Sequence, residues 1–99
     1  MKLGIFADGI WGLFFLKEIL KKDSFSCKFI CGRVIIDKEI KKLAKKKNIP
    51  FFVFKNIKSD NAYKKIKSFN ADILVSMSYD QIFDNRIINI CKYPPINCH

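Results

Sequence analysis

A parallel α/β sheet with helices on both faces, Rossmann-like in its winding, is the fold class this chain predicts. Three observations carry it. Short runs rich in apolar, aromatic and β-branched residues alternate with segments of helical periodicity. The run at 26–32 is apolar enough for a strand buried on both faces. Each connecting segment is long enough for a crossover helix, and such crossovers are right-handed and join parallel strands.

Lys2-Leu3-Gly4-Ile5-Phe6-Ala7 is the first run, ended by Asp8-Gly9. Ile10 to Lys22 then carries apolar residues at 13, 16, 19 and 20 with lysines at its end, which predicts strand, tight turn and helix. Asp8 stands where a cap is expected, and Trp11, in the first turn, is expected in the core. Ser26 to Gly32 predicts the second strand, in which Cys27 and Cys31 act as small hydrophobes. Asp37 is placed to cap a helix through Lys47 whose inward stripe is Ile40, Leu43 and Ala44, with lysines on the other side. Asn48-Ile49-Pro50 stops that helix, because a residue before proline is pushed out of the helical region.

Phe51-Phe52-Val53-Phe54 has the aromatic and β-branched composition of a third strand. Ser59 or Asp60 caps the next helix, about Asn61 to Phe69, with Ala62, Ile66 and Phe69 inward. Asp72 to Met77 is the fourth strand, Asp84 to Ile90 a short helix, and Pro94-Pro95 leads into a fifth extended segment. The predicted strand order is 3-2-1-4-5. Ligands then belong beyond the carboxyl ends of the strands, near the switch between the first and fourth. Asp8-Gly9, the loop from Ser78 to Phe83 and His99 all fall at that edge.

Ninety-nine residues make one domain at most, and the 49% hydrophobic content with ten Phe supports a core and argues against disorder. No linker or internal repeat stands out. The apolar runs are far shorter than the roughly 20 residues of a membrane helix, and the start is a poor secretory signal, so the expected compartment is the cytoplasm. Four cysteines without a CxxC pair, and one histidine, give no reason to expect a metal site. The net charge of +10 favours polyanionic partners, yet the lysines at 38–47 and 64–67 spread over polar helix faces. A solvated face, a nucleic-acid surface and attraction of phosphorylated small molecules all remain open for them.

Gly9 and Gly12 form only a GxxG pattern, and Cys31-Gly32-Arg33 stands where a dinucleotide-binding protein would place an acid. Tightening of a strand-to-helix turn is the simpler role for these glycines. The strongest chemical signal is Asn97-Cys98-His99. If Ile96 to His99 is extended, alternation sets Asn97 and His99 on one face. An amide there can donate to a developing oxyanion, and an imidazole can manage a proton, the two needs of an acyl transfer.

Ala71-Asp72-Ile73-Leu74-Val75-Ser76-Met77-Ser78-Tyr79-Asp80-Gln81-Ile82-Phe83, a short helix, and then Lys92-Tyr93-Pro94-Pro95-Ile96-Asn97-Cys98-His99 resemble the amino-terminal half of the 10-formyltetrahydrofolate-dependent formyltransferases. Phe6-Ala7-Asp8-Gly9 with Gly12, and Asn48-Ile49-Pro50 before the third strand, fit the same family. The resemblance implies a Rossmann-like catalytic domain that moves a formyl group from 10-formyltetrahydrofolate to a primary amine. It implies that Asn97 steadies the oxyanion, that His99 assists proton removal, and that Gln81, Ile82 and Phe83 line the slot for the pterin ring. The same trio can also be read as a loop closing the core.

Asn-Cys-His and Tyr-Asp-Gln-Ile lean toward the sugar-modifying branch, hence a nucleotide-linked amino sugar as acceptor; the methionyl-tRNA branch is the alternative, and tRNA then the partner. A non-catalytic basic α/β module for phosphorylated ligands or nucleic acid is the reading from another class. The family carries a third catalytic residue, an Asp some tens of residues past its Asn-x-His element. Residues 1–99 therefore read as the front portion of an incomplete formyltransferase catalytic domain, cut off after that element, with little or no transferase activity alone.

Overall fold

A computed structural model describes residues 1–81 and 83–98. Along the chain the elements are β1 (Lys2–Ala7), α1 (Gly9–Ile19), β2 (Ser26–Gly32), α2 (Lys38–Lys46), β3 (Phe51–Val53), α3 (Asp60–Ser68), β4 (Ile73–Met77), α4 (Asn85–Ile88) and β5 (Ile96–Cys98). The strands form one sheet in the order β3-β2-β1-β4-β5, every neighbouring pair parallel. This is the order that the alternating pattern predicts.

Capping sets where three of the helices begin. The Asp37 carboxylate accepts from the amides of Glu39 and Ile40 at 2.9 and 3.2 Å, the Ser59 hydroxyl from Ala62 at 3.1 Å, and Asp84 from Ile87 at 3.1 Å. Each satisfies amide donors that the first turn leaves without partners. Asn48, with φ of 57°, turns the chain out of α2 in the left-handed conformation that asparagine tolerates.

Two apolar layers sandwich the sheet. Leu3, Ile5 and Ala7 point to one side, where Leu16 of α1 and Ile40 and Ala44 of α2 cover them. Phe6 points to the other, into a cluster with Phe29, Leu74, Ala62 and Ile66 of α3, and Ile87 of α4. Aromatic rings dominate this second layer: Phe29 lies 5.6 Å from Phe6, 5.2 Å from Phe52 and 4.9 Å from Phe69. Gly4 makes room for it, since a Cβ there would lie 2.4 Å from the Phe29 ring.

Two expectations are corrected. Trp11 is 71% exposed and lies outside the core, because the inward stripe of α1 runs through Gly12 and Leu16, which turns Trp11 and Phe14 outward. Asp8 makes no side-chain cap for α1, because its carboxylate is drawn to Arg33 instead. On the α1 side, Trp11, Phe14, Phe15, Met77 and Cys98 line an open apolar hollow of about 480 Å³. Among the described residues no helix is long and apolar enough to cross a membrane.

Candidate active site

The carboxyl ends of β4 and β5 border one hollow. β4 pairs with β1 so that Met77 lies beside Ala7, and with β5 so that Ser76 lies beside Asn97. The Asp8 amide donates to the Met77 carbonyl at 3.2 Å, closing the switch between β1 and β4. Past Met77 the chain bends away at Ser78, whose φ is 60°. A cavity of about 470 Å³ opens here, lined by Ser76, Tyr79, Asp80, Gln81, Phe83, Ile88, Pro95 and Asn97. That is the size of a small-molecule site, at the position where an open α/β sheet binds its ligands.

Three of the residues singled out in the sequence, Gln81, Phe83 and Asn97, thus share one cavity although they come from a loop and an edge strand. The alternation of β5 is as expected over its described length. Asn97 lines this cavity, and Cys98 lines the hollow on the opposite side of the sheet beside Trp11. Ile82 and His99, the remaining two, lie outside the described residues.

Gln81 is built into its loop. Its side-chain oxygen accepts from the Ile57 amide at 2.7 Å, and its amide nitrogen donates to the Phe54 carbonyl at 2.9 Å and lies 3.3 Å from the Tyr79 hydroxyl. Two backbone groups of the segment between β3 and α3 are thereby satisfied by one side chain, which fixes the cavity wall. Phe83 and Tyr79 anchor the same loop from below, their rings 4.8 and 5.1 Å from Phe6. Loop closure and cavity lining are therefore joint properties of this segment.

Sequence reasoning passed over Arg33, which follows β2. Its guanidinium meets Asp8 at 3.2 Å and Asp80 at 3.2 Å, tying together the ends of β1, β2 and β4. The two carboxylates raise the pKa of Arg33 further, the Asp8 hydrogen bond most. The available signal was weak: an Arg and two Asp at the ends of three predicted strands. Gly9 adopts φ of 70° in the tight turn into α1, and Gly12, inside the helix, lets α1 rest against Ala7.

Among the described residues no group of three or more His, Cys, Asp or Glu side chains is placed to hold a metal ion. Burial pushes the thiols of Cys27 and Cys31 up from near 9 to about 12, with the Tyr79 hydroxyl working the other way at Cys31. Burial also holds the Tyr79 phenol well above its usual range, with Cys31 adding to the effect. A raised thiol pKa stabilises the folded protein fully below the unfolded value and less as pH climbs toward the folded one. We expect stability to fall between pH 9 and about 12, and both thiols to resist a thiol-titrating dye at pH 8 until denaturant is added. Rapid native labelling of Cys31 at that pH, followed by mass spectrometry, would contradict this.

A parallel sheet wound by crossover helices, with a ligand-sized hollow at its carboxyl edge and an amide from β5 inside it, defines a Rossmann-like α/β domain. Its relatives narrow the class. The chain is 38% identical over 68 residues to methionyl-tRNA formyltransferase of Buchnera aphidicola subsp. Baizongia pistaciae, a match covering 69% of this chain and 21% of that protein. It is 41% identical over 69 residues to the methionyl-tRNA formyltransferase of Sulfurihydrogenibium sp. and 33% identical over 69 residues to that of Clostridium acetobutylicum, each match covering 69% of this chain and 22% of the relative. These similarities support the formyltransferase family for this chain. No family model matches it. The matches span about a fifth of the length of these curated relatives.

Proposed function

We propose that this chain forms the donor-binding and catalytic part of a formyltransferase that moves a formyl group from 10-formyltetrahydrofolate to the amine of methionyl-tRNA. The observation that carries it is the meeting of Asn97, Gln81 and Phe83 at one cavity beyond the end of β4. Tyr79, Phe83, Ile88 and Pro95 supply the largely apolar walls that a flat heterocycle needs, and Ser76, Asp80 and Asn97 supply polar groups around it. The relatives named above favour the tRNA acceptor over the nucleotide-linked amino sugar that Asn-Cys-His had suggested.

In this reading the attacking amine adds to the formyl carbon, and the Asn97 amide donates to the oxygen as it gains charge. His99 accepts the proton that the amine releases, as a general base. The bond from carbon to the folate nitrogen then breaks, and that nitrogen takes up a proton. Gln81 holds the cavity wall through Ile57 and Phe54, and Arg33 holds the start of the loop through Asp80. Both side chains keep the site shaped before the donor arrives.

Calorimetric titration with a non-transferable folate analogue tests the reading. Phe83→Ala is expected to weaken binding about tenfold through the lost ring face, and Gln81→Leu to weaken it by loosening the wall. Mass spectrometry of products then assigns the acceptor. No analogue binding to the unaltered protein, or formylation of an amino-sugar nucleotide in preference to methionyl-tRNA, would overturn this function.

A further inference from the structure

The lysines are unevenly engaged on the two sides of the sheet. On the α3 side Lys65 sits 5.4 Å from the Phe52 ring, Lys67 5.6 Å from Tyr63, and Arg86 pairs with Asp60 at 2.7 Å. Between α1 and α2 the arrangement differs. Lys17 and Lys21 from one helix and Lys46 and Lys47 from the end of the other line a groove of about 560 Å³, floored by Phe14, Leu20 and Leu43. Glu18 is the single carboxylate lining it, paired with Lys21 at 3.3 Å.

Among the described residues the ammonium groups of Lys17, Lys46 and Lys47 have no ion-pair or ring partner. Lysines in a last turn favour the helix dipole, and that explains part of the pattern. The dipoles account for only about half a negative charge at each of the two helix ends. Four ammonium groups against one carboxylate leave an excess of about three positive charges along the groove, which attracts an anion to it. A furrow with cations on both walls suits a charged strand lying along it better than a flat surface.

We propose that the groove between α1 and α2 is an RNA-binding surface that seats a stretch of sugar-phosphate backbone on Lys17, Lys21, Lys46 and Lys47. The choice of RNA over other polyanions rests on the methionyl-tRNA reading above. Both helices run back from the carboxyl edge of the sheet, so the groove lies at the end opposite the cavity. It therefore holds the body of the RNA and leaves the reacting end to the cavity. Backbone contacts of this kind position an RNA without reading its sequence.

The test measures binding of a dye-labelled elongator tRNA to the protein by fluorescence anisotropy across a salt series. The double variant Lys17→Ala/Lys46→Ala is expected to weaken binding about tenfold or more at about 0.1 M salt and to flatten the slope of log K against log salt by about 2. Lys17→Arg/Lys46→Arg should restore both. Lys64→Ala/Lys67→Ala removes the same charge from the exposed side of α3 and should change affinity less than about twofold. Equal losses in the two alanine pairs would mean diffuse attraction by net charge and overturn the proposal. So would loss of binding to phosphatidylserine vesicles in the groove variant with tRNA affinity unchanged.

Folate-analogue titration on the same proteins separates the two claims. Analogue binding with a tRNA affinity indifferent to the groove sinks this surface alone. Groove-dependent tRNA binding without analogue binding sinks the formyl-transfer reading and leaves the surface standing.

Discussion

In a protein that also carries the family's third catalytic Asp, replacing Asn97 by alanine is expected to lower formyl transfer about 10²–10³-fold while leaving affinity for the folate analogue nearly unchanged. The asymmetry follows from when the amide acts. A donor aimed at the carbonyl oxygen gains most as that oxygen becomes negative, so its loss falls on kcat rather than KM. The fold should survive, because β5 is held to β4 through backbone pairing at Ile96, Asn97 and Cys98 and not through this side chain alone. Asn97→Asp is the informative companion. It is nearly isosteric, yet a carboxylate repels the developing charge, so it should be as damaging as alanine. Parallel measurement of kcat and analogue affinity decides the matter: a variant that loses affinity but keeps kcat would show that Asn97 binds the donor and does not stabilise the transition state.

Truncating Phe29 to alanine should cost about 3–5 kcal/mol of stability, a large part of the roughly 5–15 kcal/mol a domain of this kind possesses. Phe29 is fully buried at the meeting point of β1, β3 and α3. Its ring touches Phe6, Phe52 and Phe69, which are themselves held by other rings and cannot easily move in to fill the space. Gly4 offers no side chain to help. The damage should reach the site as well, since Phe6 supports both Tyr79 and Phe83 beneath the cavity. Urea unfolding followed by circular dichroism gives the value directly. A change below about 1 kcal/mol, the scale of an ordinary surface substitution, would show that this ring cluster is not what holds the layer together.

Where a property depends on neighbours along the chain, sequence reading succeeded. Strand composition, the caps at Asp37 and Ser59, and the stop at Asn48-Ile49-Pro50 are local matters, and the structure places each as expected. The strand order 3-2-1-4-5, expected for βαβ units with right-handed crossovers, is the order found. Errors arose where a side chain had a choice of distant partners. Asp8 had the right type and position for a cap, but an arginine from the end of β2 outcompeted the backbone amides. Trp11 looked like a core residue by type, yet the buried stripe of α1 runs through Gly12 and Leu16 and leaves the indole outside. Gln81 was chosen for lining a slot, and its reach to Ile57 and Phe54 was invisible because those residues lie far back in the chain.

Local periodicity and turn chemistry thus determined the class of fold and the bounds of its elements, because each depends on short-range backbone preferences and on which face of an element is apolar. Tertiary structure alone decided that Ser76, Gln81, Phe83 and Asn97 bound one cavity, that Arg33 joins three strand ends, and that the lysines of α1 and α2 face each other across a groove. Those outcomes depend on distances between segments far apart in the chain. Such distances are set by how the two layers pack on the sheet, and no single segment encodes them.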